Sequence, residues 1–200
     1  MEVHAMQAHE ADPGVLAHCA AIVVAHDEPD TAALISLGEK VGFGVVSGSA
    51  DFSGNDWHIH RILFFLVHYG IGMDAKRQLL DRVRHAGSVN ICFAPVVLFL
   101  QDGPGDEMLE YIEMGFDDVI CLPENSHIVS TRLAAQIGQE HTYIETRRYL
   151  GPDRRRMDLP GHNHPERAAD QDHTNLTLLR TPEMGVQILR RQLIVKARPV

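Results

Sequence analysis

The chain has 200 residues, of which 44% are hydrophobic and 22% charged, a composition typical of a soluble globular protein rather than a disordered one. No segment approaches the ~18 consecutive apolar residues that a membrane span needs, and no apolar run behind a basic start marks a secretory signal, so we expect a cytoplasmic protein without membrane contact. The net charge of −9 disfavours binding to DNA.

Charge is distributed unevenly along the chain. Residues 1–142 contain 7 Lys/Arg and 20 Asp/Glu, a net charge of −13, whereas residues 143–200 contain 11 Lys/Arg and 7 Asp/Glu, a net charge of +4. An acidic body followed by a basic segment predicts that the basic segment docks on something negative, either the body itself or a partner.

Five short apolar runs are predicted to be strands buried on both faces, because each is brief and rich in β-branched or aromatic residues. They are residues 21–25, 43–46, 62–69, 95–100 and 119–122. Helical spacing of apolar residues predicts helices between them, over residues 29–42, 73–86, from 106 to Gly115, and 129–137, whereas residues 47–60 are rich in turn formers. Strands alternating with helices predict an α/β fold of the flavodoxin-like, doubly wound type, with a five-stranded parallel sheet and helices on both faces.

The helix predicted over residues 73–86 is amphipathic. Its core side is predicted to carry Leu79, Leu80 and Val83. Its basic residues, Lys76 and Arg84 among them, are predicted to face solvent.

Beyond residue 142 the alternation of strands and helices stops. Gly151 and Pro152 break any helix, and residues 157–175 are polar and punctuated by Pro and Gly, which predicts a linker or disordered stretch. Residues 176–179 and 186–195 recover hydrophobicity and are expected to pack back on the body or on a partner. The division is therefore an N-terminal leader (1–20), an α/β domain (21–142) and an arginine-rich linker and C-terminal tail (143–200) that forms an irregular extension.

Four segments of residues 21–140 share their order with one known family. Residues 22–29 (IVVAHDEP) end a hydrophobic strand in acidic residues and Glu-Pro, residues 42–46 form a second strand, residues 73–74 are Met-Asp, and residues 115–123 (GFDDVICLP) place two acidic residues before a short strand and a proline. Together they resemble the response-regulator receiver family of two-component signalling, of the chemotaxis-regulator type.

The resemblance implies a phosphorylation site that this chain has lost. An active receiver holds Mg²⁺ with paired carboxylates, phosphorylates an aspartate, and contacts the phosphoryl group with a hydroxyl and a lysine. The matching positions here are His26 and Asp27 (followed by Glu28), Leu66 or Val67, Leu100, and Leu122. Aliphatic residues cannot perform these steps, so we expect Asp27 and Glu28 to face solvent or to cap the first helix.

The function implied is therefore a phosphorylation-independent pseudo-receiver, not an enzyme, without a metal or other cofactor. It would act on a protein partner, and a homodimer through the fourth and fifth helices, near Tyr111, Met114 and Arg132, is expected by resemblance. An atypical response regulator that is still phosphorylated is the alternative within the same family.

The arginine cluster opens a second alternative. It consists of Arg147, Arg148, Arg154, Arg155 and Arg156, whose planar donors suit phosphate and carboxylate groups. It could dock on the acidic body, bind the acidic surface of a protein partner, or clamp a phosphorylated small molecule such as a cyclic dinucleotide.

Two pairs of closely spaced histidines were considered as metal ligands. His58 and His60, and separately His162 and His164, lack a neighbouring Cys or carboxylate at ligand spacing, so we predict no metal. His68, beside the lost phosphoacceptor, is expected to be a strand-end histidine that bonds to backbone.

Overall fold

A five-stranded, all-parallel sheet forms the centre of the protein. The computed structural model describes residues 12–48, 62–101, 105–153 and 172–195. The strands of this sheet are β1 (Ala20–Val24), β2 (Val45–Ser47), β3 (Leu63–His68), β4 (Val96–Gln101) and β5 (Asp118–Leu122). Their order in the sheet is β2-β1-β3-β4-β5. The prediction of a five-stranded parallel sheet is confirmed.

Helices cover both faces of this sheet. They are α1 (Glu28–Val41), α2 (Met73–Arg84), α3 (Val89–Cys92), α4 (Gly105–Met114) and α5 (Ser126–Ala134). The short α3 was not predicted, because its four residues are too few to show a helical period. Gly42 and Gly115 follow α1 and α4 with φ angles of 102° and 117°, as expected for left-handed helix ends.

Two apolar layers separate the helices from the sheet, because successive strand residues point to opposite faces. Ala21 and Val23 of β1 contribute to the layer shared with α1 and α5, and Ala20 and Ile22 contribute to the layer shared with α2 and α4. Burial on both faces explains why these strands read as continuous apolar runs.

Residues 12–20 are an ordered part of this fold, which corrects the prediction of a loose leader for them. Pro13–His18 form a 3₁₀ helix that begins at Asp12, whose carboxylate accepts the N–H of Gly14 at 2.9 Å. Leu16 and Cys19 are fully buried in the layer with α1 and α5. The segment was missed because a single 3₁₀ turn has no periodic pattern.

The C-terminal part of the chain forms a second sheet, so the prediction of an irregular extension is wrong for the described residues. Its strands are β6 (Glu140–Glu145), β7 (Leu150–Pro152), β8 (His173–Thr181) and β9 (Gly185–Ile194). They are antiparallel in the order β7-β6-β8-β9. Leu176 and Leu178 of β8 are buried against the body, which confirms the expected packing for residues 176–179; of residues 186–195, Val186 is buried, whereas Leu189 and Leu193 are exposed.

The 3₁₀ segment and the start of β2 are held together at Gly44. Its N–H lies 3.2 Å from the carbonyl oxygen of Leu16 and 3.1 Å from that of Cys19. A Cβ atom at this position would lie 2.2 Å from the carbonyl oxygen of Ala17, so the two backbones could not stay in place.

We therefore expect Gly44→Ala to lower the free energy of unfolding by about 2 to 3 kcal/mol, because overpacked backbone must separate. Chemical denaturation followed by circular dichroism would measure it. Gly87→Ala is the matched control, since a Cβ at Gly87 meets nothing within 4 Å. Equal stability of the two variants would contradict the close approach of residues 16–19 to Gly44.

Candidate functional site

The carboxyl edge of the parallel sheet is the expected place for a site. In open α/β sheets, ligands bind beyond the carboxyl ends of the strands where the strand order reverses, which here lies between β1 and β3. The loop after β1 supplies His26, Asp27 and Glu28, and β3 ends at His68.

Asp27 serves as the N-cap of α1, which confirms the capping expectation. Its carboxylate accepts the N–H of Asp30 at 2.9 Å, and its carbonyl oxygen accepts the hydroxyl of Thr31 at 2.7 Å. Glu28 begins the helix, where a carboxylate favours the helix dipole, and both His26 and Glu28 are exposed. The local sequence Asp-Glu-Pro is thus fully explained as a helix start.

The four aliphatic positions do not converge on one pocket. Leu66 and Val67 are fully buried and point to opposite faces of the sheet. Leu122 packs in the layer with Leu66, and Leu100 packs in the layer with Val67. The side chains that match the receiver positions therefore serve as core residues on both faces.

His68 contacts backbone, as we expected, because its Nδ1 lies 3.3 Å from the backbone nitrogen of Gly70, and it also contacts a carboxylate. Its Nδ1 lies 2.9 Å from Oδ2 of Asp30 in the first turn of α1. This contact ties the end of β3 to the first turn of α1, the helix that follows β1.

Metal ligands do not gather anywhere in the described ranges. No group of three or more His, Cys, Asp or Glu side chains there could hold an ion. His58, His60, His162 and His164 lie outside the described residues.

Among the helices of the described ranges, none combines the length and apolar character that crossing a bilayer requires.

The densest polar cluster lies at the opposite, amino edge of the parallel sheet and centres on Asp117. Asp117 precedes β5, and its Oδ2 accepts the N–H of Val96 at 2.8 Å and Nη2 of Arg84 at 2.6 Å. Its Oδ1 accepts Nη2 of Arg180 at 3.1 Å and the hydroxyl of Tyr143. The carboxylate thus joins α2, β4, β6 and β8.

Arg180 is fully buried and satisfied by groups from both parts of the chain. Its Nε donates to the carbonyl oxygen of Phe93 at 2.9 Å, and its Nη1 donates to Oε1 of Gln136 at 3.1 Å. Its Nη2 also donates to the hydroxyl oxygen of Tyr143 at 2.7 Å. The side chain reaches from β8 through the interface between the two sheets into the body.

Arg84 ends α2 and is buried, not solvent-facing as its place on the helix suggested. Its Nη1 donates to the carbonyl oxygens of Cys92 and Ala94 at 3.0 and 2.9 Å. Lys76, also predicted to face solvent, is buried as well; its Nζ donates to the carbonyl oxygens of Tyr69 and Ile71 at 2.7 and 2.6 Å. Both cations are buried because they donate to backbone carbonyl oxygens.

The electrostatics of the Asp117 cluster favour its charged form. Burial by itself raises the pKa of Asp117, but the positive charges of Arg84 and Arg180, with hydrogen bonds from Tyr143 and Val96, lower that pKa to about 2. Burial also raises the pKa of Tyr143 well above its usual value, so its hydroxyl keeps its proton and donates it. The cluster is closed to solvent, which makes it a structural junction rather than a binding site.

The arginine cluster is only partly described. Arg147 and Arg148 are exposed in the turn between β6 and β7, and Arg154, Arg155 and Arg156 lie outside the described residues. The hypothesis of a clamp for a phosphorylated small molecule therefore stays a prediction.

Searches against protein-family models and curated proteins find no match for this chain.

We expect Asp27→Ala to lower the free energy of unfolding by about 1 kcal/mol, because the first turn of α1 loses its cap, whereas Asp27→Asn stays close to wild type because asparagine caps equally well. Thermal unfolding with and without Mg²⁺ would measure both. A melting temperature that rises with Mg²⁺ in the wild type, and not in Asp27→Asn, would instead assign Asp27 to a metal site.

Asp117→Asn should destabilise the protein by about 3 to 5 kcal/mol, because two buried arginines lose their only carboxylate in the cluster. Asp118→Asn is the matched control: Asp118 pairs with Arg132 at 2.5 Å, but their side chains are 18% and 36% exposed, so we expect a loss of less than about 1 kcal/mol. Denaturant unfolding would measure both variants.

The pH dependence separates this electrostatic role from loss of packing. A carboxylate whose pKa is lower in the folded state stabilises the protein above its unfolded pKa of ~3.9 and loses this effect as the pH falls towards 2. The stability difference between wild type and Asp117→Asn should therefore be full at pH 7 and shrink below pH ~4. If Asp117→Asn does not fold, Tyr143→Phe, which removes one donor to the carboxylate, should cost about 1 kcal/mol.

Proposed function

We propose that this chain is a cytoplasmic, flavodoxin-like signalling module of the receiver type that works without phosphorylation, through contacts with a partner protein. One observation carries the proposal: the carboxylate of Asp27 accepts a hydrogen bond from the backbone of α1. Asp27 is the only carboxylate at the two positions, 26 and 27, that match the acidic pair of a receiver. The strand order β2-β1-β3-β4-β5 supports a doubly wound arrangement with its ligand edge at β1 and β3.

The chemistry at that edge supports a role without phosphoryl transfer. A phosphoryl group needs a carboxylate acceptor, a divalent cation with several oxygen ligands, and a positive charge beside it. The residues at the matching positions are Leu66, Val67, Leu100 and Leu122, all in the apolar layers. Introducing a charged phosphoryl group among these side chains would carry a large desolvation cost.

A surface formed by α4, β5 and α5 is the contact face that the receiver resemblance suggests. Tyr111 and Met114 pack half-buried against the layer beneath α4, and the Arg132 guanidinium donates to Asp118 and to the carbonyl oxygen of Val119 at 2.9 Å. Ile128 of α5 is exposed. A rigid surface with an exposed aliphatic residue suits a protein partner or a second copy of the chain.

The test is the intact mass of the protein after incubation with acetyl phosphate and Mg²⁺. We expect no increase by one phosphoryl group, while a conventional receiver domain in the same mixture gains one. Acetylation of lysines by acetyl phosphate adds a smaller mass than a phosphoryl group does, so the intact mass separates the two products. An adduct that hydroxylamine removes would be an acyl phosphate. It would contradict the proposal and support the alternative that the chain is a phosphorylated response regulator.

A further inference from the structure

The edge of the antiparallel sheet has features that the proposed function does not use. Within the described residues, β9 pairs with no strand other than β8. The N–H of Val186 near its start donates to Oδ1 of Asn90 at 2.9 Å, and the open edge is therefore the part of β9 beyond Val186. Its second half is exposed: Leu189 is 48% and Leu193 65% accessible to solvent. Large exposed aliphatic residues on an open strand edge mark a surface suited to association.

The positive charges on β9 determine which kind of strand could pair with this edge. Arg190 and Arg191 lie side by side near the middle of β9, are exposed, and point to opposite faces because they are adjacent in a strand. The Arg191 guanidinium reaches Glu145 only at 3.7 Å, and both side chains are largely open to solvent. Positive charge is therefore available on both faces of the strand.

Pairing of two copies through β9 is disfavoured by these charges. An antiparallel pair of β9 strands would bring four arginines together near the middle of one seam, and like charges on neighbouring strands destabilise a sheet. A bulge at Leu189, between the pairs Leu178–Ile188 and Thr177–Arg190, interrupts the ladder once in each copy. The repulsion between the arginines therefore disfavours a second copy on this edge.

We propose that β9 is a docking edge for an extended, acidic segment of a partner protein, which adds to the sheet as a further strand. Backbone groups of the segment would pair with the open side of β9, its acidic side chains would lie beside Arg190 and Arg191, and its apolar side chains would cover Leu189 and Leu193. The inference deepens the proposed function, because it names the chemistry of the partner and the surface that receives it.

The test uses the full chain and a fluorescein-labelled ten-residue peptide in which two central glutamates are flanked by alternating Val and Thr. The control peptide carries two lysines in place of the glutamates. At low salt we expect the acidic peptide to bind at least about tenfold more tightly, with a preference that weakens as salt screens the charges. Fluorescence anisotropy measures the affinity, and amide chemical shifts should change along Gly185–Ile194.

Charge reversal with a matched control locates the site. Arg190→Glu with Arg191→Glu should abolish or reverse the preference. Arg147→Glu with Arg148→Glu changes the net charge equally in the exposed turn after β6, which β8 separates from β9, and should leave the preference intact. Equal binding of the two peptides, or loss of the preference in both double variants, would overturn the inference. A dimer in sedimentation that Leu193→Lys dissociates would also overturn it, in favour of a second copy.

The two proposals can fail separately. A phosphoryl adduct on the intact chain would overturn the phosphorylation-independent function and leave peptide binding at β9 unaffected. Failure of the acidic peptide to bind would overturn the docking edge and leave the mass result unchanged.

Discussion

The bonding of the Asp117 carboxylate between Arg84 and Arg180 is the interaction on which the relation between the two sheets depends. Asp117 lies at the amino edge of the parallel sheet, where it also accepts the N–H of Val96. Arg180 reaches it from β8 and Tyr143 reaches it from β6. One side chain thereby connects the α/β body to the antiparallel sheet.

Burying two guanidinium groups and one carboxylate is costly unless every charge is compensated. Here the excess positive charge is distributed over carbonyl oxygens of the body: those of Cys92 and Ala94 accept from Arg84, and that of Phe93 accepts from Arg180. These bonds are directional, whereas the packing of Leu176 and Leu178 alone would tolerate sliding of the antiparallel sheet. The polar network therefore selects one docking position for that sheet.

The two edges of the parallel sheet have different chemistry. At the carboxyl edge, Asp27 caps α1, Asp30 ties α1 to the end of β3 through His68, and Glu28 is exposed. At the amino edge, the charges are buried in the junction with the second sheet. Among the described residues, the exposed strand β9 and the face around α5 are the surfaces on which the proposed contacts would be made.

The apolar runs of β1, β3 and β4 were identifiable in the sequence because a strand buried on both faces needs no distant partner to be recognised, and the helix start at Asp27 depends only on its immediate neighbours. The roles of Arg84 and Arg180 could not be predicted, since their partner Asp117 lies 33 and 63 residues away. An arginine at an inward position also interrupts the alternation of β8, so residues 176–179 were predicted only as an apolar segment that packs on the body or on a partner. A charged side chain is buried only where tertiary structure brings its counter-charge and acceptors together, so the second sheet and its attachment were decided by the folded structure alone.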